Sequence, residues 1–287
     1  MSGERIQEMG HTSVTTTRKF SLSGKIVATI QDVGARFLEV LADLGRMGLF
    51  LFWSCTALFS TRFRFQESVR QLYLIGAQSV VVIFFTAAFT GMVLGLQGYY
   101  TLRQFGSEGV LGSAVALSLI RELGPVLTAL MVTGRAGSAM CAEIGIMQNS
   151  EQIDALECMA IDPFRYIVVP KLVATLIAVP VLTLLFNVVG IFGGYLAGVE
   201  LLGVNPGAYL SSMQHSVVNK DIFLGSIKSL VFGLLIVWIC TGRGYYVRVI
   251  KNAGFGAEGV SKVTTQAVVF SSIAILLWDY LLTAVLL

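Results

Sequence analysis

Two stretches of this chain carry no charge for longer than a bilayer needs: Gln71 to Leu102, 32 residues, and Leu172 to Val199, 28 residues. A helix crosses the hydrocarbon core with about 20 apolar residues, so each run spans it with some tilt. Neither run alternates apolar and polar residues as the strands of a transmembrane barrel do. Charged residues are only 13% of the 287, against about 25% in soluble domains. The fold class that follows is an all-α integral membrane protein.

Hydropathy places about five spans, near 76–98, 110–134, 167–198, 222–241 and 264–286. Basic residues set the orientation. With the amino terminus in the cytoplasm, the inner segments collect 16 of the 20 lysines and arginines, among them Arg135, Arg165 and Lys171 after the second span. The carboxyl terminus then ends on the periplasmic side. The net charge of +3 belongs to this pattern and does not argue for nucleic-acid binding.

Residues 1–23 mix Ser, Thr and both signs of charge with no apolar core, so they read as a flexible cytoplasmic tail without a cleavable signal. Over 24–64, Ile26, Ile30, Val33, Phe37, Val40, Leu44 and Met47 recur at spacings of three and four. That rhythm describes an amphipathic helix lying in the interface. The uncharged run from Met47 to Thr61, 15 residues, is short for a span and reads as a dipping elbow. The cysteines Cys55, Cys141, Cys158 and Cys240 show neither metal-ligand spacing nor a secreted disulfide pattern.

Four ionisable residues fall inside spans: Arg121, Glu122, Lys228 and Asp279. Charges at such depth are costly and face a bundle interior or a wet cavity. They read either as structural pairs, Arg121 with Glu122 and Lys228 with Asp279, or as the lining of an outward cavity for a charged headgroup. Adjacent residues point about 100° apart on a helix, so Arg121 and Glu122 cannot both face one partner squarely. Pro125 just beyond them frees a backbone carbonyl that must be satisfied inside the protein. Gly190, Gly193, Gly194 and Gly198 in the third span allow close helix packing, within the chain or at a symmetric self-contact.

After the second span comes a short amphipathic helix. Asn149 reads as its cap with Gln152 at the third position. Ile153, Leu156 and Met159 line one side, Glu151, Asp154 and Glu157 another, and Asp162-Pro163 ends it. About eleven residues of helix are marginal alone in water, so this one is built to dock. The chain has no Gly-x-x-x-x-Gly-Lys-Ser/Thr string. The glycine loop at 254–259 lacks the lysine, and His11 and His215 form no nucleophile–base set. These features describe a transporter subunit rather than an enzyme, with no cofactor or metal of its own.

The strings Arg-Glu-Leu-Gly-Pro (121–125), Gly-Arg-Ala-Gly-Ser-Ala (134–139), Ala-Glu-Ile-Gly (142–145) and Glu-Gln-Ile-Asp-Ala-Leu (151–156) resemble the MlaE-type permease family. That family includes the YrbE proteins of Mce systems and the chloroplast lipid permease. The resemblance covers about residues 65–287, departs from the family pattern at Met147-Gln148-Asn149-Ser150, and leaves the amino-terminal extension uncovered.

The resemblance implies a homodimeric permease in the bacterial inner membrane, driven by a pair of cytoplasmic ABC ATPases that bind the ATP. It implies a periplasmic MCE-domain carrier, a STAS-domain protein in many systems, and phospholipid as cargo, in support of outer-membrane lipid asymmetry. On this reading Ser150, Glu151, Gln152, Ile153, Asp154, Leu156, Glu157 and Met159 form the coupling helix. Arg121 and Lys228 are placed for a phosphate, and Glu122 and Asp279 balance them or meet an amine headgroup. An ion-coupled secondary carrier using Glu122, Lys228 and Asp279 as a proton relay, or a non-transporting scaffold, are the alternatives.

Overall fold

The computed structural model describes residues 22–58, 64–249 and 256–286. Among them the chain is helical and contains no strand. The helices are α1 (Leu22–Leu58), α2 (Phe65–Arg103), α3 (Glu108–Asn149), α4 (Gln152–Cys158), α5 (Phe164–Leu201), α6 (Pro206–Ser216), α7 (Asn219–Tyr245) and α8 (Gly256–Leu286). Six of them are long and apolar enough to cross a membrane: α1 over Phe37–Leu58, together with α2, α3, α5, α7 and α8.

The count exceeds the sequence reading by one because of α1. The expected interfacial helix and elbow form one continuous helix, since no proline interrupts Leu22–Leu58. It is the least apolar of the six, with Glu39, Asp43 and Arg46 within Phe37–Leu58. The expected tail lies outside the described residues up to residue 21, as do most side chains of the Ile26–Met47 stripe. Up to Arg46, α1 belongs to a unit of its own, in which Arg46 pairs with Asp43 one turn back.

From Met47 onward the chain forms a second unit. Phe50 is buried against the rings of Phe164, Tyr245 and Tyr246, with centroids 5.3, 5.7 and 6.1 Å away. The Trp238 indole N–H donates to the Met47 carbonyl at 2.7 Å. Helices α2 and α5 meet backbone to backbone. A Cβ on Gly91 would lie 1.8 Å from the Gly190 carbonyl oxygen, and one on Gly193 would lie 2.4 Å from that of Ala88. Gly194 faces Gly95 and Gly198 faces Leu111. These contacts within the chain occupy the third-span glycines.

Arg135 and Lys171 are not loop residues. α3 continues to Asn149, and α5 starts at Phe164, so both cations lie within helices. Arg135 sits where α2 tightens over Ala77–Ser79 and donates to the Leu74 carbonyl at 3.1 Å, Ser79 Oγ at 3.0 Å and Gln78 Oε1. A tightened turn leaves carbonyls without their usual helical partners, and the guanidinium supplies the missing donors.

At the other end of the bundle, Asn205 caps α6 by accepting from the backbone N–H groups of Gly207 and Ala208 at 2.9 and 3.3 Å. Tyr209 then reaches inward to donate to the Ile191 carbonyl at 3.2 Å. Burial pushes its phenol up to about 12, so it remains a donor.

Gly91→Ala is expected to lower the stability of the detergent-solubilised protein by about 1–3 kcal/mol through overpacking. Gly134→Ala, at a position with open space around it, is expected to leave it unchanged. Thermal unfolding followed by size-exclusion chromatography compares the two.

Candidate functional site

α3 does not run as a regular helix past the charged pair. Leu119–Leu123 forms a π-helical turn, with Gly124-Pro125 starting the next α-helical stretch. A proline at 125 has no N–H for the carbonyl four residues earlier, that of Arg121. Lys228 of α7 supplies the donor instead, its Nζ lying 3.1 Å from the Arg121 oxygen. Gly225, one turn earlier on α7, permits this approach: a Cβ there would lie 2.5 Å from the Ile120 carbonyl oxygen.

The Lys228 side chain is wholly buried. Its ammonium donates to Glu122 Oε2 at 2.5 Å and to Thr283 Oγ1 of α8 at 2.7 Å. With the Arg121 carbonyl these use all three of its hydrogens. Asp279 Oδ1 stands 3.1 Å from the same nitrogen. It is an ion-pair contact off the hydrogen-bonding directions, which are already taken. Two carboxylates around one ammonium leave the cluster one negative charge in excess when all three groups are ionised.

Arg121 turns elsewhere, its Nε donating to Asp221 Oδ1 at 2.9 Å. Asp221 Oδ2 accepts from the Val218 backbone N–H at 3.1 Å, at the start of α7. Arg121 and Glu122 thus have separate partners on α7, as their 100° separation requires. The pairs are Arg121–Asp221 and Lys228 with both Glu122 and Asp279, not Arg121–Glu122. Glu122 and Arg121 are about a third exposed and Asp279 a fifth, so the accessible edges belong to them and the ammonium lies behind.

The sequence reading missed Asp221 and Thr283. The signal was present as spacing: Asp221 lies seven residues before Lys228, and Thr283 four after Asp279, which puts Asp221 on the Lys228 face of α7 and Thr283 on the Asp279 face of α8. Ile120 within the π turn also lines a largely apolar cleft of about 150 Å³ between α5 and α7, bounded by Pro180, Thr183, Asn187 and Ile222.

The second group of expected site residues lies at the opposite end of α3, about 40 Å along the helix. Because α3 persists through Asn149, that residue does not cap α4. Its side-chain amide donates to the Gly256 carbonyl at 3.1 Å. Glu151 occupies the cap position with φ 61°, and α4 has seven residues rather than about eleven. Ser150 Oγ donates back to the Ile146 carbonyl at 2.8 Å.

Ile153 is buried with Ile144 and Ile167, and Leu156 packs on them, while Met159 and Gln152 are exposed. The acidic side is partly neutralised from within. Arg248 pairs with Asp154 at 2.8 Å and with Glu151 at 3.6 Å, and Tyr245 lies 3.5 Å from Glu157. Asp162 caps the following helix, Oδ1 accepting from the Phe164 N–H at 2.9 Å.

Residues 68–285 match the family model described as Permease MlaE. The chain belongs to the MlaE permease family. It is 43% identical over 262 residues to the intermembrane phospholipid transport system permease protein MlaE of Haemophilus influenzae, covering 91% of this chain and 98% of that protein. A probable ABC transporter permease protein of Rickettsia felis is 41% identical over 88% of this chain and 95% of its own. The chloroplastic protein TRIGALACTOSYLDIACYLGLYCEROL 1 of Arabidopsis thaliana is 34% identical over 78% and 62%. The stretch matched to the family model, residues 68–285, takes in both groups of residues, the intramembrane charges and the α4 segment.

Removing only the ammonium, as in Lys228→Met, leaves Glu122 and the Arg121 carbonyl without their shared donor and Asp279 without its counter-charge. A loss of about 3–5 kcal/mol of stability is expected. Lys228→Met combined with Glu122→Gln and Asp279→Asn is expected to recover a large part of it. A triple variant no more stable than the single one, by thermal unfolding in detergent, removes charge compensation as the reason for the cluster.

Proposed function

We propose that this MlaE-family chain is the membrane subunit of an ATP-driven phospholipid transporter in the bacterial inner membrane. It moves lipid between that membrane and a periplasmic MCE-domain carrier and so supports outer-membrane lipid asymmetry. It works as a homodimer with a pair of cytoplasmic ABC ATPases that bind the ATP, and a STAS-domain protein accompanies them. The carboxyl terminus faces the periplasm and α4 the cytoplasm, in keeping with the basic residues Arg165, Arg248 and Lys262 at the α4 end. The amino terminus is cytoplasmic, with α1 lying along the membrane rather than crossing it.

The observation that carries this reading is that α7 and α8 hold both groups of residues. Near one end they supply Lys228, Asp279 and Thr283. At the other, Tyr245, Arg248 and Gly256 contact α4 and the residues before it. A force on α4 therefore acts on the two helices whose far ends meet Glu122. As Glu122 and Asp279 part from Lys228, the ammonium becomes available to a phosphate, for which Arg121 is already accessible. An amine headgroup finds the released carboxylates, and the apolar cleft at Ile120 accepts part of an acyl chain. A proton relay needs no partner ATPase and leaves the α4 contacts without a purpose.

In proteoliposomes with the ATPase pair and the carrier, labelled phospholipid is expected to move only with ATP and to be insensitive to an uncoupler. Arg121→Ala and Glu122→Ala are each expected to reduce the rate about tenfold or more, as for lost charge-assisted contacts. ATP-independent movement collapsed by an uncoupler would establish the secondary carrier, no movement under either condition would favour the scaffold, and unchanged rates in both variants would remove Arg121 and Glu122 from the lipid path.

Leu156→Asp and the exposed-site variant Met159→Asp are expected to abolish co-purification of the ATPase. Normal complex yield with both removes α4 as the coupling element.

A further inference from the structure

A polar cavity of about 170 Å³ lies at the α4 end of the bundle, where the start of α2, the end of α3 and the start of α5 meet. On a measure in which one water needs about 15 Å³, it holds far more than one bound water. Its walls carry Arg64, Arg70 and Lys171 against Glu67 and Glu143. With all five ionised, one positive charge is left over.

The three cations are unequally committed. Lys171 is buried, its Nζ donating to Glu143 Oε2 at 2.6 Å and to Gln71 Oε1 at 3.3 Å, which leaves one of its three hydrogens over. Arg70 stands 3.9 Å from Glu67, beyond hydrogen-bonding distance. Arg64 stacks its guanidinium over the Tyr166 ring, Cζ 4.2 Å from the centroid. Stacking uses the face of the group and leaves its N–H edge for an acceptor. Two guanidinium forks and a buried ammonium therefore surround a space with more donors than acceptors.

The depth of the cavity is set by its own helix. Phe65, Val69 and Tyr73 of α2 are exposed apolar residues, on the side of the helix away from Glu67, Arg70 and Gln71. A helical segment with one apolar and one charged side, as Phe65–Ile75 at the start of α2 has, rests at the boundary between acyl chains and headgroups. Lys171 comes about 10 Å along α5 from its start at Phe164. The cavity thus lies at headgroup level, where phosphate is the abundant anion and guanidinium groups bind it in two-pronged fashion.

We infer that this cavity is a second anion site, separate from the Lys228 cluster, taking the phosphate group of a membrane phospholipid or a free phosphate through Arg64, Arg70 and Lys171. Met147 and Ile167 line it and also belong to the apolar seat under Ile153 of α4. Occupancy is therefore felt at the coupling segment. The inference concerns binding alone and stands whether or not the chain moves lipid.

The test titrates the full-length protein in mild detergent with dioleoyl phosphatidylglycerol and with dioleoylglycerol, which lacks the phosphate, and counts bound molecules by native mass spectrometry. One phosphatidylglycerol per chain is expected to bind about tenfold more weakly in the Arg64→Gln, Arg70→Gln double variant. Glu67→Gln, which removes a competing carboxylate, is expected to tighten it, a gain that misfolding cannot mimic. Displacement by inorganic phosphate in the wild type but not in the double variant assigns the site to the free anion, and resistance to it assigns the site to the lipid. Equal binding of dioleoylglycerol, or identical phosphatidylglycerol binding by the wild type and both variants, overturns the inference.

Discussion

A buried ammonium needs as many acceptors as it has hydrogens, and the bundle is arranged around Lys228 meeting that demand. Desolvating such a group costs several kcal/mol unless it is paired and hydrogen-bonded. Its acceptors come from two other helices and three kinds of chemistry. Glu122 and the Arg121 carbonyl come from α3, and Thr283 from α8. The carbonyl is available because Pro125 cannot use it. The π turn, the proline, the glycine that lets α7 approach and the lysine form one local solution.

That solution joins α3, α7 and α8 near one end, and a different set of contacts joins the same three helices at the other. There Asn149, the last residue of α3, reaches the first residue of α8, and Arg248 beyond α7 holds the acids of α4. Neither end is held by apolar packing alone. Charge-assisted contacts are directional and short-ranged, so small displacements change them more than they change a hydrophobic interface. Three long helices with polar contacts at both ends are a means of carrying displacement across the interior.

The bundle itself was legible because uncharged runs of such length have few other uses. Lys228, Asp279 and Pro125 stood out because lipid makes charges and unpaired carbonyls expensive. Their pairing did not follow, since it depends on how α7 and α8 are rotated against α3. Asp221 was overlooked because it lies at a helix start, where acids are ordinary. The α4 cap was misplaced because Asn149 is a good capping residue in isolation, and only the persistence of α3 shows that its amide is used elsewhere. Arg135 and Lys171 were counted after the second span because their acceptors in α2 and α3 are distant in sequence, 56 to 61 residues away for Arg135 and 28 and 100 for Lys171.

The glycine seam between α2 and α5 has a mechanical corollary. Where backbones touch at Gly91, Gly190 and Gly193, no side chains stand between them to slide or change rotamer. The two helices therefore behave as a single stiff plank. α8 is its opposite, with only 11% of its apolar window buried against 50% for α5. The helix carrying Asp279 and Thr283 thus has little packing to hold it, and its polar contacts with Lys228 bear more of that task.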